Sequence, residues 1–256
     1  MSAIVLMKAF ERSPSRYDFG MRLATFGCID RVLDAIADSV LHQFDVLDIG
    51  SGTGKLSALL AKRGARVIAI DKSPEMVSLA SERIVKGGFC KSVSTDQKTV
   101  MEADRLFEPA QFDAVILSLV MSELTPDERN WVLDQCERVL RPSGFLLLAD
   151  EFVPKPLFKK IAFHTLRFPL HLAAYLYTQI KGLYTSNLWW KLYYSIVELP
   201  LMLISFFVSE PLTRPLKQIE NILPSGLRIA EAVDFGLIGS TRLLKIEKVR
   251  RLTERF

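Results

Sequence analysis

The sequence predicts an α/β chain built on a doubly wound, mostly parallel sheet, with an apolar helical insertion and an antiparallel hairpin at its end. Three observations carry this. Short apolar runs alternate with helical segments through the first 151 residues. A glycine-rich turn joins the first such run to the helix after it. Two further strand-like runs, joined by a short glycine-containing loop, come late in the chain. Strands alternating with helices mean parallel pairing through right-handed crossovers.

Taken in order, residues 18–40 carry Met21, Leu23, Ile29, Val32, Leu33 and Ile36 at helical spacing and read as one or two helices. Phe44 to Gly50 is a strand ending in glycine, and residues 55–63 read as a helix. Val67 to Asp71 is apolar throughout, as central parallel strands are. Ser73-Pro74-Glu75 opens a helix, with serine as cap and proline in the first turn. A weaker strand spans Ser92 to Lys98, and Phe112 to Leu117 is a strong fourth one. Thr125-Pro126-Asp127-Glu128 starts a helix running to about Leu140. Pro142-Ser143-Gly144 reads as a turn before a fifth strand, Phe145 to Ala149. Leu227 to Phe235 and Ser240 to Lys248 form the terminal hairpin. The organisation is therefore N-terminal helices over 1–40, a ligand-binding domain over 41–151 and 225–250, and the insertion over 152–224.

Composition bounds the function. With 256 residues there is room for one α/β domain plus a sizeable insertion. Hydrophobic residues make up 49%, and the mean hydropathy is +0.20. The net charge of +4 comes without a Lys/Arg-rich run, which argues against nucleic acid. An anionic membrane face is the more natural partner for that charge. Cys28, Cys90 and Cys136 lie far apart, as expected of neither a disulfide framework nor a zinc site, and they suit a reducing cytoplasm. Residues 1–12 lack the length and cleavage pattern of a signal peptide.

The sharpest motif is Asp48-Ile-Gly50-Ser-Gly52-Thr-Gly54-Lys55. A phosphate loop needs four residues between its first glycine and Gly-Lys, then Ser or Thr; here there is one residue too few, and Leu56 follows Lys55. A dinucleotide loop places its third glycine one residue later than Gly54. An acid two residues before G-x-G-x-G instead resembles the first motif of class I methyltransferases that use S-adenosylmethionine. That cofactor lacks phosphates and carries a sulfonium and an ammonium group, which Asp48 would favour by its charge. Asp71 ends the next strand about twenty residues on, where an acid can accept both ribose hydroxyls. Lys72, Met76 and Ser118 complete the candidate cofactor set.

Residues 15–151 as a whole resemble the quinone/sterol branch of these enzymes. The resemblance rests on Tyr17-Asp18, on Phe112-Asp113-Ala114-Val115, and on Glu137 to Gly144, where Ser143 replaces one glycine. Leu6-Met7-Lys8, Ser13 to Tyr17 and Leu119 to Glu123 are similar to a subgroup called corrinoid-protein-associated methyltransferases. The resemblance implies a Rossmann-like fold, S-adenosylmethionine as cofactor and a methyl acceptor that the motifs do not name. Such enzymes usually set an acid after the third strand for the adenine amine. Spacing from Asp71 puts Thr99 and Val100 there, with Asp96 and Asp104 as alternatives.

Beyond the carboxyl ends of strands four and five, where ligands of open sheets sit, come Ser118, Ser122, Glu123, Asp150 and Glu151. Glu123 or Glu151 could serve as general base for a hydroxyl or amine acceptor. The bland alternative has Glu123 capping or pairing at a helix start. Methyl transfer from sulfonium is a direct displacement, so in-line positioning alone supplies much of the rate.

The insertion holds two apolar stretches, Ile161 to Ile180 and Leu188 to Val208, preceded by Lys155, Lys159 and Lys160. Arg167, Glu198 and Pro200 make a bilayer-spanning pair costly. Trp189, Trp190, Tyr193 and Tyr194 with nearby lysines suit a helix in the headgroup region. A lid or dimer face is the second reading and a spanning hairpin the third. His164 and His171 share a helix face but lack further ligands, so no metal is expected. The expected acceptor is thus a hydrophobic molecule, an isoprenoid quinone or lipid, reached by a cytoplasmic enzyme in peripheral membrane contact through residues 155–210. A corrinoid held by a partner protein and a non-catalytic cofactor-binding module are the alternatives.

Overall fold

The computed structural model describes residues 17–24, 27–152, 219–235 and 241–249. Two helices come first, α1 (Tyr17–Ala24) and α2 (Cys28–Asp38). Then follow β1 (Asp45–Ile49), α3 (Lys55–Lys62), β2 (Arg66–Asp71), α4 (Pro74–Gly87) and β3 (Val93–Gln97). A 3-10 turn (Val100–Glu102) and α5 (Ala103–Leu106) lead to β4 (Phe112–Ser118). A second 3-10 turn (Met121–Glu123) precedes α6 (Pro126–Val139) and β5 (Leu140–Glu151). The chain returns as β6 (Leu227–Phe235) and β7 (Thr241–Lys248).

The seven strands form one sheet in the order β3-β2-β1-β4-β5-β7-β6. The first five are parallel, and β7 pairs antiparallel with both β5 and β6. The order reverses between β1 and β4, so a crevice opens at the carboxyl ends of these two strands.

Apolar cores cover both faces of the sheet. On β4, Ala114 and Ile116 point into one core, shared with Val32 and Ile36 of α2 and Leu60 of α3. Val115 and Leu117 point into the other, shared with Val132, Leu133 and Cys136 of α6. Burial on both faces is why Ala114 to Leu117 of β4 reads as an unbroken apolar run rather than an alternating one. The helix starts follow their caps. The Ser73 hydroxyl accepts from the Met76 amide ahead of Pro74. Thr125 and Glu128 form a reciprocal capping box around Pro126.

The structure adds three points to the sequence reading. The stretch expected as a turn and short strand is one long strand, with a register shift opposite Phe112 and Ala114. That irregularity absorbs Pro142 and sets Gly144 so close that a Cβ would lie 2.9 Å from the Asp113 carbonyl oxygen. The terminal hairpin does not add in chain order: β7 inserts beside β5 and leaves β6 at the edge. Burial explains the choice, since Leu243, Leu244 and Ile246 of β7 are buried, whereas five consecutive residues of β6, Ala230 to Asp234, are exposed. Thirdly, Ile219, placed in the insertion by sequence, packs into the α6-side core. The two apolar stretches of the insertion lie outside the described residues.

Candidate functional site

The glycine turn sits at the topological switch point. The amides of Gly50 and Ser51 both donate to the Ile70 carbonyl of the neighbouring strand, at 2.8 and 3.0 Å. Each of the three motif glycines has positive φ, but they face different surroundings. A Cβ on Gly50 would collide with Val120 in the segment after β4. A Cβ on Gly54 would sit 2.8 Å from the Ala80 Cβ and 2.9 Å from its Cα, so this glycine allows α3 and α4 to approach. A Cβ on Gly52 would meet nothing within 4 Å, and Gly52 lines a cavity. The loop thus presents bare backbone to open space at one point, Gly52.

Two carboxylates flank that point. Asp48 is 1% exposed and accepts a hydrogen bond from the Ser57 hydroxyl at 2.6 Å. Burial, with a smaller contribution from the nearby Asp71 charge, pushes its carboxyl up from the ordinary 3.8 to about 6; the Ser57 hydrogen bond opposes this. A buried acid on a cavity wall that resists ionising gains most when a cation arrives. Asp71 does double duty. One of its oxygens accepts from the Gly52 amide at 2.8 Å and the other from the Ser73 amide at 2.9 Å. A carboxylate has about four lone-pair positions, so two remain for a ligand diol.

Of the residues singled out by sequence, Asp48, Gly50, Gly52, Asp71, Lys72, Met76, Val100, Ser118 and Glu123 line this one cavity. Gly54 and Thr99 do not. Gly54 is used up in helix packing. Thr99 caps the 3-10 turn, donating through its amide and hydroxyl to Glu102 at 2.7 and 3.2 Å. The alternative Asp96 is exposed on β3. Asp104 is on α5 and Glu151 ends β5, with neither side chain among those described. The residue that reaches the cavity beside Val100 is Lys98, whose amide donates to the Asp71 carbonyl at 3.0 Å. It is a donor where an acceptor was expected. Spacing arguments passed over it in favour of its chain neighbours Thr99 and Val100. They also missed Met21, Lys55 and Leu119, which line the cavity from other elements.

At the mouth, the Lys72 ammonium meets Glu123 at 3.0 Å, joining the loop after β2 to the turn after β4. The helix start beyond is capped by Thr125, so Glu123 is a pairing residue and not a cap. The Lys72 side chain is 65% exposed, and such pairs contribute little and exchange readily. Behind Glu123, the Ser122 amide donates to the fully buried Asp150 at 3.0 Å, which fixes the turn. Leu119 holds a φ of 59, rare for leucine, where the strand end meets the cavity. Among the described residues no group of three or more His, Cys, Asp and Glu is placed to hold a metal ion. None of the described helices is long and apolar enough to cross a membrane.

An open backbone at Gly52, flanked by the buried Asp48 and by Asp71 at the switch point of a doubly wound sheet, is an arrangement suited to a nucleoside ligand. Residues 46–144 match the family model described as a methyltransferase domain. Residues 46–144 thus form an S-adenosylmethionine-dependent methyltransferase domain, and the proteins similar to it include quinone methyltransferases. Among similar proteins, the ubiquinone biosynthesis O-methyltransferase of Xylella fastidiosa (strain 9a5c) is 38% identical over 119 residues, 46% of each chain. The demethylmenaquinone methyltransferase of Thermus thermophilus is 31% identical over 154 residues, 57% of this chain and 66% of that one. The chain thus spans about half the length of the first of these curated relatives. A crystal structure described as a SAM-dependent methyltransferase from Aquifex aeolicus shares the fold, with a TM-score of 0.55 at 19% identity over 93% of this chain and 98% of that one.

Proposed function

We propose that this protein transfers the methyl group of S-adenosylmethionine to a hydrophobic acceptor of the quinone or quinol class. The observation that carries the cofactor half is the open face of Gly52 between Asp48 and Asp71. The acceptor half is supported by the two quinone-methyltransferase relatives and by the apolar composition of the insertion. A membrane-resident acceptor would explain why the apolar excess is concentrated there, and peripheral contact through residues 155–210 belongs to the same reading.

Bound S-adenosylmethionine supplies a methyl group on a positively charged sulfur, open to attack from the side opposite its leaving thioether. The chain's own residues do the rest. Asp48 in its ionised form favours the positive end of the ligand across a low-dielectric wall. Asp71 accepts the sugar hydroxyls and at once fixes the loop through Gly52. Ser118 and Leu119 bound the cavity at the end of β4, where an acceptor would approach. A hydroxyl acceptor must lose its proton, and Glu123 is the carboxylate at the mouth able to take it once Lys72 yields its place; Lys72 then stands beside the oxygen that becomes negative.

The test is transfer of labelled methyl to a short-chain demethylated quinol, with and without vesicles containing anionic lipid. Supported activity would be product formation that rises with vesicles and drops about a hundredfold in Glu123→Gln for an oxygen acceptor. Label appearing on a corrinoid protein, and not on the quinol, would overturn this acceptor. Absence of any transfer, with cofactor still bound, would leave a binding module instead.

A further inference from the structure

The first helix forms one wall of the cofactor cavity through Tyr17, Asp18 and Met21. It is only eight residues long and turns into α2 at Gly27, which has a φ of 75. α2 itself is anchored, with Val32, Ile36 and Ala37 fully buried. Charges at both ends tie α1 down. At its start, three side chains from three elements close a triangle. The Thr53 hydroxyl of the glycine loop donates to one Asp18 oxygen at 2.7 Å. The Arg83 guanidinium of α4 donates to the other Asp18 oxygen at 2.5 Å and to the Thr53 oxygen at 2.9 Å. At its end, Arg22 pairs with Asp30 at 2.8 Å, and Asp30 also pairs with Lys55 at the head of α3.

We propose that the Asp18–Thr53–Arg83 triangle is a latch that holds α1 over the bound cofactor and sets the rate at which cofactor and spent product exchange. The inference rests on the cofactor reading given above. Arg83 does not line the cavity; it is a positioning residue, acting through Asp18 and Thr53. The strength of the joint suits this task. The Asp18 and Arg83 side chains are 32% and 35% exposed, between a solvated surface pair and a buried one. Such a joint is charge-assisted and closed by three hydrogen bonds, yet water and salt can reach it. Its position suits the task as well. Thr53 follows Gly52, whose amide is held by Asp71, so the residues that would grip the ligand and the residues that close α1 share one loop. A turnover converts the sulfonium to a neutral thioether, which must leave before fresh cofactor enters, so the wall must open once per cycle.

The experiment loads the full-length protein with labelled S-adenosylhomocysteine and follows its release into excess unlabelled ligand. Arg83→Gln and Asp18→Asn are expected to speed release about tenfold, the factor that corresponds to losing one charge-assisted hydrogen bond. Arg83→Lys, which keeps the charge but not the fork, falls between. Raising salt speeds release in the unaltered protein more than in either variant. Amide exchange over residues 17–24 of the loaded protein rises in both variants, a change that a distant stabilising role for Arg83 would not produce. Release rates equal to the unaltered protein in both variants, or unchanged exchange over that helix, would overturn the latch alone. An unaltered protein that fails to bind S-adenosylhomocysteine or S-adenosylmethionine in calorimetry would overturn the cofactor reading and the latch with it.

Discussion

Asp48 makes a prediction in which stability and ligand affinity move in opposite directions. Its carboxyl titrates near 6 in the folded chain against 3.8 ordinarily. At 1.36 kcal/mol per unit, keeping it ionised inside the fold costs about 3 kcal/mol. The sign follows from the direction of the shift. A raised carboxyl binds its proton more tightly folded than unfolded, so the cost is fully present above pH 6. It is relieved as pH falls through 6 toward 4. The ligand-free protein should therefore gain stability on mild acidification, until other carboxylates protonate. Binding runs the other way, because a cationic ligand prefers the ionised acid. Affinity for S-adenosylmethionine should fall about tenfold between pH 7 and pH 5, with uptake of cofactor releasing a proton near pH 6. The α-amino group of the ligand titrates near 7.7–8.0, above this window, and does not confuse it. In Asp48→Asn the amide oxygen can still accept from Ser57, while the ionisation cost vanishes. The new buried NH2 group, with its two donors, offsets part of that gain, leaving about 1 kcal/mol of stabilisation at pH 7.5. The same variant should bind cofactor more weakly and with no slope between pH 5 and 7. Calorimetry across pH and thermal melts of the ligand-free protein measure the two halves. A flat affinity in the unaltered protein, or an Asp48→Asn protein with the original slope, would refute the reasoning.

Two other substitutions separate the roles of neighbouring glycines and test a strained backbone. Gly52→Val carries the backbone strain of its positive φ, about 1–2 kcal/mol, but no clash, so a folded protein with binding lost by at least about a hundredfold is expected, whereas Gly54→Val adds a clash with the Ala80 backbone to the same strain and should lower the melting temperature through about 3 kcal/mol or more of destabilisation. Circular dichroism melts beside calorimetry distinguish them, and equal loss of fold in both would count against the open face at Gly52. Ser143 holds a φ of 71, and Ser143→Gly should stabilise the protein by about 0.5–1 kcal/mol, read as a higher denaturant midpoint with unchanged slope; a lower midpoint would mean that the serine's own interactions outweigh its backbone strain.

How much of this was legible in the sequence depends on the range over which each feature is decided. The strands β1, β2 and β4, the caps at Ser73 and Thr125, and the glycine turn are set by residues within a few positions of one another, and all could be read. Neighbour relations could not. Nothing local in Ser240 to Lys248 says that β7 lies between β5 and β6; that follows from which run buries three aliphatic side chains when laid beside β5. Nor does the turn at Pro142 to Gly144 announce that it is a bulge within β5 until Phe112 and Ala114 are placed opposite it.

The candidate site divides along the same line. Asp48, Gly52 and Asp71 stand at strand ends, where hydrophobic period and motif coincide, so their positions were readable. Lys98 is the chain neighbour of the Thr99–Val100 pair that spacing singled out, and the pairing of β3 with β2, which sets Gln97 opposite Asp71, carries it to the cavity wall. The latch is the extreme case. Thr53 and Asp18 are 35 residues apart, and Arg83 and Asp18 are 65 apart. A charged residue on a half-exposed helix face has no period and no cap rule to betray its partner. Its meaning comes from the packing of the helices, which carries the start of α1, the loop before α3 and the later half of α4 to one place beside the cavity. Sequence motifs thus specify what a loop can hold, while the topology decides what can close over it.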